Sequence, residues 1–171
     1  MKIINNQTGV GMVEVLVALV LLAIGVLGFT ALQLRAVEAG EEALLRSQAT
    51  LVLRGLTESI RSNPKGQPFY PAKVQSYAGI TAIPTEPKSC IDTVCTAEQM
   101  ATYDAFLAAR SAVNVGINIT MATCPGVQSN NRQCLFAGWN GTKFSTNNYS
   151  SCMNSSGIYV NNAKCLMMEA Y

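Results

Sequence analysis

The sequence predicts an α+β protein: one long N-terminal helix, membrane-spanning and then amphipathic, packed on a small antiparallel sheet with disulfide-stapled loops. Three observations carry this reading. An apolar run near the N-terminus passes without a break into a three- and four-residue apolar spacing. The second half holds short alternating or apolar segments separated by Gly, Asn and Ser. All six cysteines lie in that second half.

The apolar run comes first. Across residues 15–32 the only polar side chain is Thr30. As a helix, residues 10–34 would span roughly 37 Å, enough to cross the ~30 Å hydrocarbon core of a bilayer with some tilt. Within the same stretch stands a carboxylate, Glu14, which would cost roughly 2.5–3.5 kcal/mol at a bilayer centre and less near an end. Three readings of this segment compete: a cleaved secretory signal, a plain membrane anchor, and a processed leader followed by a helix that keeps Glu14 for a purpose. A secretory signal wants a short apolar run with a small-residue site directly behind it. Here the next such pattern, residues 37–39, follows Arg35. Gly25 and Gly28 lie inside the run, where each lowers helix propensity by about 1 kcal/mol relative to Ala; they suit either a melted turn or close helix packing.

Beyond Leu34 the periodicity continues. Ala36, Val37, Leu44, Leu45, Ala49, Val52, Leu53, Leu56 and Ile60 recur at helical spacing, with Arg and Glu on the opposite face. Pro64 marks the end, because the residue before proline disfavours helix. One helix over residues 10–61 would measure roughly 78 Å.

Residues 63–95 contain five of the six prolines and read as a loop with little regular structure. Thr96 and Gln99 then form a capping box that opens a short helix over residues 96–110, with Met100, Tyr103 and Leu107 on one face. The stretch "VNVGINITM", residues 113–121, alternates strictly and predicts a strand. "CLFAGW" (134–139), "GIYV" (157–160) and "CLMMEAY" (165–171) are further strand candidates, giving a sheet of about four strands. Residues 138–163 are rich in Asn, Ser and Gly with one charge, Lys143, and read as solvated loops, with Trp139, Phe144 and Tyr149 as packing residues.

Composition removes several function classes. Twelve Lys and Arg against ten Asp and Glu leave a net charge of +2, with no basic footprint for nucleic acid. There is no histidine, the commonest general base and metal ligand. No phosphate-cradling glycine loop or convergent carboxylate pair is present either, so no catalytic, cofactor-binding or metal-binding residue is expected. Cys90, Cys95, Cys124, Cys134, Cys152 and Cys165 form an even set with no CxxC pair, which favours disulfides in an oxidising compartment over a zinc site. Sequential pairing, Cys90–Cys95, Cys124–Cys134 and Cys152–Cys165, is the expectation among the many connectivities that six cysteines allow.

Residues 9–14, "GVGMVE", followed by the apolar run, resemble the class III signal of type IV pilins and type II secretion pseudopilins. The resemblance implies that a prepilin peptidase cuts between Gly9 and Val10, that Val10 becomes an N-methylated terminus, and that Glu14 is the fifth mature residue. That family usually has Phe or Met where this chain has Val10. The carboxylate then gains a physical role. Cleavage creates an α-amino group with an ordinary pKa near 7.7–8.0, and a buried carboxylate is tolerated when an opposite charge meets it. The resemblance thus makes Glu14 an assembly residue that meets the terminus of a neighbouring subunit.

Further pieces are similar to the PilV type of minor pilin, the type IV pilus modification proteins. They are "GMVEVLVALVLLAIGVLGFTALQL", "LTESIRSNP", "CTAEQMATYDAF" with Met100, Ala101, Tyr103 and Asp104, and the closing "CLMMEAY". A tryptophan that this branch carries late in the Cys-led helix is absent, with Phe106 nearby. The resemblance implies a leader at 1–9, a membrane or filament-core helix at 10–34, an amphipathic half at 35–62 and an exposed globular region at 63–171. It implies an inner-membrane, single-pass, largely periplasmic minor subunit that primes pilus assembly and then enters the fibre. Its partners would be other minor pilins, the major pilin, a large tip adhesin, the prepilin peptidase and the inner-membrane assembly platform. A minor pseudopilin of a type II secretion system and a DNA-uptake or adhesive tip subunit remain as alternatives.

Overall fold

A computed structural model describes residues 11–126 and 131–171. The chain divides into two compact units, Met1–Glu42 and Ala43–Tyr171. Helix α1, Met12–Ser62, contributes to both. Its expected start at Val10 lies outside the described residues.

In the first unit the helix is exposed from Met12 to Glu41, and its apolar run over residues 15–32 is by length and composition able to cross a membrane. Gly25 and Gly28 stay helical, with nothing packed where a Cβ would sit. Thr30, the polar residue of the run, returns its hydroxyl to the Leu27 carbonyl at 2.9 Å. That internal bond removes the cost of an unpaired donor in an apolar setting.

The second unit is built on the last turns of α1, where Ala49, Leu53, Leu56 and Ile60 are buried at the expected spacing. The proline-rich stretch differs from expectation. A short 3₁₀ helix, Pro64–Phe69, and helix α2, Tyr70–Gln75, occupy its first third. Each has a proline in its first turn, where the missing N–H is one that would go unbonded anyway. The prolines therefore start helices here rather than forbid them, and the irregular path begins after Gly79.

Helix α3, Ala97–Asn114, opens on the expected capping box, with Thr96 Oγ1 and Gln99 bonded reciprocally. It runs on to Asn114 and so absorbs the start of the predicted strand. Of the face expected from Met100, Tyr103 and Leu107, Tyr103 is buried while Met100 and Leu107 are half-buried. Phe106 is buried as well, and Ala101, Ala105, Ala108, Ala109 and Ala112 join the main core, where small side chains let the helix lie close to its neighbours. Gly116, at φ +72°, turns the chain out of α3 into the sheet, a backbone conformation that favours glycine.

The sheet has three strands in the order β1 (Asn118–Thr123), β2 (Gln133–Gly138), β3 (Cys165–Glu169), all antiparallel. Ile119, Met121, Leu135, Ala137, Leu166 and Met168 face a core shared with the helices. Ala122, Cys134, Phe136, Cys165 and Met167 face a second, smaller cluster with Phe144, Cys152 and Met153. Residues 157–160 do not form the expected fourth strand; an isolated bridge joins Met153 to Tyr159.

Candidate assembly site

The first turn of α1 carries Glu14, and the Gly11 carbonyl accepts the N–H groups of Glu14 and Val15 at 2.9 and 3.3 Å. A carboxylate in this position sits where the helix macrodipole favours negative charge. Glu14 is exposed, and so is the apolar surface that follows it. Arg35 and Glu38 pair at 3.1 Å and mark the polar end of the run. Gly9 and Val10, the expected cleavage residues, lie outside the described residues.

In the second unit a partly buried polar knot forms where the end of α1, the 3₁₀ helix, α2 and α3 meet. The Tyr70 hydroxyl donates to Asp104 Oδ2 at 2.5 Å. Asn63 Nδ2 donates to the Ala97 carbonyl at 2.8 Å and approaches the Tyr70 oxygen at 3.4 Å. Burial and the neighbouring carboxylate push the Tyr70 phenol well above its ordinary range. Burial also pushes the Asp104 carboxyl up, and the hydrogen bond from Tyr70 pulls it part of the way back. Gly66 sits against this knot: a Cβ there would come within 2.8 Å of the Ala97 carbonyl and against the Asn63 side chain. Lys73 and Glu98, paired at 3.0 Å, add a second tie between α2 and α3.

An open groove of about 380 Å³ runs beside the knot, lined by Leu51, Val52, Gly55 and Leu56 of α1 and Leu107 and Ala108 of α3. Its lining is mostly apolar, which suits packing against protein rather than chemistry on a small polar substrate. Among the described residues no group of three or more His, Cys, Asp or Glu is placed to hold a metal ion.

Two family models match the chain. Residues 4–30 match the prokaryotic N-terminal methylation motif, and residues 31–106 match the type IV pilin Tt1218 model. Over residues 4–106 the chain is thus similar to type IV pilins, each model covering less than half of it. No curated protein and no solved structure matches the chain. The methylation motif takes in Gly9, Val10, Glu14 and the apolar helix, whereas the second match ends at Phe106 and so includes Asn63, Tyr70 and Asp104.

The six cysteines of the chain pair in chain order, Cys90–Cys95, Cys124–Cys134 and Cys152–Cys165. The last two pairs are buried: Cys124–Cys134 ties the end of β1 to β2 and Cys152–Cys165 ties the Asn-rich loop to β3, while Cys90–Cys95 closes a small turn on the irregular segment. Trp139 and Phe144 are core residues, and Tyr149 stacks on Phe136 with ring centroids 4.6 Å apart. Asn63 and Asp104 were visible in "LTESIRSNP" and "CTAEQMATYDAF", but nothing in the sequence linked them. Tyr70, which joins them, stood unremarked between two prolines. A phenol in a proline-rich stretch whose other polar groups are few was the available signal.

Proposed function

We propose that this chain is a type IV pilin, a minor subunit of the PilV type that takes part in type IV pilus assembly as a priming or tip subunit. The observation that carries the reading is Glu14 in the first turn of an exposed apolar helix within the methylation motif. Prepilin peptidase removes residues 1–9, Val10 becomes the methylated terminus, and the new α-amino group of one subunit meets Glu14 of another. Residues 10–34 pass from the inner membrane into the filament core, residues 35–62 continue as the amphipathic half, and residues 63–171 form the exposed globular region. The bulk of the chain stands in the periplasm until assembly carries it to the cell surface. Other minor pilins, the major pilin, a tip adhesin and the assembly platform are its partners. The role is packing, with no catalysis by this chain.

The test is intact-mass and N-terminal analysis of the protein from membranes of its host. A chain that begins at Val10 supports the reading, and a methylated Val10 completes it. One that begins at Met1 makes the segment a plain anchor; one that begins beyond Ala39 makes it a secretory signal. Either would sink the proposal.

A further inference from the structure

The Asn- and Ser-rich part of the second unit holds a cleft remote in sequence from Glu14. It measures about 450 Å³ and lies between the end of β1, at Thr123, Pro125 and Gly126, and the loop that carries Tyr149, Ser155 and Ser156. That volume falls within the range of small-ligand sites, about 300–1,000 Å³. The lining residues all come after Phe106, outside both family matches.

Both walls are fixed. Cys124–Cys134 holds one to β2, and Cys152–Cys165 holds the other to β3. The Gly126 N–H donates to the Ser155 carbonyl at 3.0 Å and ties wall to wall. Asn154 Oδ1 accepts the N–H groups of Ser156 and Ile158 at 3.0 and 2.9 Å, which sets the turn that presents the two serines. Tyr149 is backed by Phe136, with an interplanar angle of 1° between the rings. A site held this way has little left to order when a ligand arrives.

The groups on offer are narrow in kind. Among the described residues the hydroxyls of Thr123, Tyr149, Ser155 and Ser156 have no protein partner, so each keeps a donor and an acceptor for a ligand. No carboxylate, ammonium or guanidinium lines the cleft, and between residues 138 and 163 the one charge is Lys143. A charged ligand would find no counter-charge there, and a wholly apolar one would leave hydroxyls unpaired. A peptide strand asks for free backbone groups, but the N–H groups of Gly126 and Ser156 are already bonded. An aromatic ring covered on one side and set among neutral hydroxyls suits a ligand with an apolar C–H face and a rim of hydroxyls.

We propose that this cleft binds a neutral saccharide. One sugar ring lies on the Tyr149 face turned away from Phe136, and its hydroxyls meet Thr123, Ser155 and Ser156. This is a binding activity separate from packing into a fibre, and it stands whether or not residues 1–9 are removed.

The experiment is protein-observed NMR on the full-length chain in a detergent without a sugar headgroup. The probes are the methyl glycosides of glucose, galactose, mannose and N-acetylglucosamine, with short oligomers of each. The expected result is a saturable shift with at least one probe, confined to residues 123–126 and 149–157. Ser156→Ala, at an exposed position, keeps the fold and should weaken binding about two- to tenfold, the loss of one hydrogen bond. Tyr149→Ala removes the platform and should weaken it about tenfold; the Ser156 variant stands by itself if this one unfolds. Simple glycosides that bind as well as their oligomers would put a chain end in the cleft, and binding of oligomers alone an internal unit; either supports the proposal. No shift with any probe at its highest soluble concentration overturns it. So do shifts that both variants leave unchanged, and shifts at the cleft produced by a proline-rich peptide but by no sugar.

Discussion

The Tyr70 hydroxyl donates to the Asp104 carboxylate at 2.5 Å and so ties the first residue of α2 to α3. The bond matters because Tyr70 is buried and Asp104 half-buried. Tyr70→Phe leaves the carboxylate partly desolvated without its donor, a loss of about 1 kcal/mol, at the low end for such a group. Chemical denaturation should show this, and the double variant with Asp104→Ala should lose less than the sum of the two singles. Strict additivity would mean the bond contributes nothing.

The same pair sets a pH dependence. Asp104 has a raised carboxyl in the folded state, so the fold binds its proton more tightly than the unfolded chain does. Its contribution is fully present below the ordinary Asp value of about 3.9 and is lost as pH rises through the raised value. Asp104→Asn keeps an acceptor for Tyr70 but removes this loss. The variant should gain on the wild type as pH rises above the ordinary Asp value of about 3.9, most once the raised value has been passed. Parallel stability curves for the two proteins would contradict this.

At alkaline pH the phenols take over. Tyr70, Tyr77 and Tyr171 are all raised by burial, so each favours folding until pH climbs past the ordinary tyrosine value of about 10. Stability should fall above that point, and Tyr70→Phe should make the fall shallower. Spectrophotometric titration of the phenols against unfolding by circular dichroism checks it.

Gly66→Ala tests the knot from its backbone side. The added methyl meets the Ala97 carbonyl, which is backbone at the start of α3 and has little freedom to move. Overpacking of this kind costs about 1–3 kcal/mol. An unchanged melting temperature would show that the Asn63 side chain simply swings away.

The disulfides should separate into two classes. Replacing Cys152 and Cys165 by Ala removes a buried cross-link with a sequence separation of 13 and should cost roughly 3 kcal/mol in the chain-entropy model. Replacing Cys90 and Cys95 opens a half-buried ring with a separation of 5 and should cost roughly 2 kcal/mol or less. In a graded reductant series read by thiol labelling, Cys90 and Cys95 should appear first. Simultaneous release of all six thiols would mean global unfolding precedes any reduction.

Within the proposed assembly role, Glu14→Ala should leave membrane insertion intact and deny the subunit its meeting with a neighbour's terminus. Cross-linking to other pilins should collapse while membrane fractionation stays as it was. Wild-type levels of cross-linking would remove Glu14 from the mechanism.

What the chain by itself determined was local or periodic. The apolar run, the amphipathic continuation to Ser62, the capping box at Thr96 and Gln99, and strands β2 and β3 all depend on residues close in sequence. The motif around Gly9 and Glu14 was legible for the same reason. What only the tertiary structure decided required partners far apart in the chain. Alanines became much of the core face of α3 because the 3₁₀ helix, α2 and β1 lie close against it and leave room for small side chains. The prolines after Asn63 opened helices because Tyr70 and Asn63 found Asp104 and Ala97 across 34 residues of intervening sequence. Residues 157–160, strand-like by composition, stayed out of the sheet, with the Val160 N–H bonded to the Cys152 carbonyl. Propensity is a property of a segment, but pairing is a choice between segments, and that choice is made only when the chain has folded.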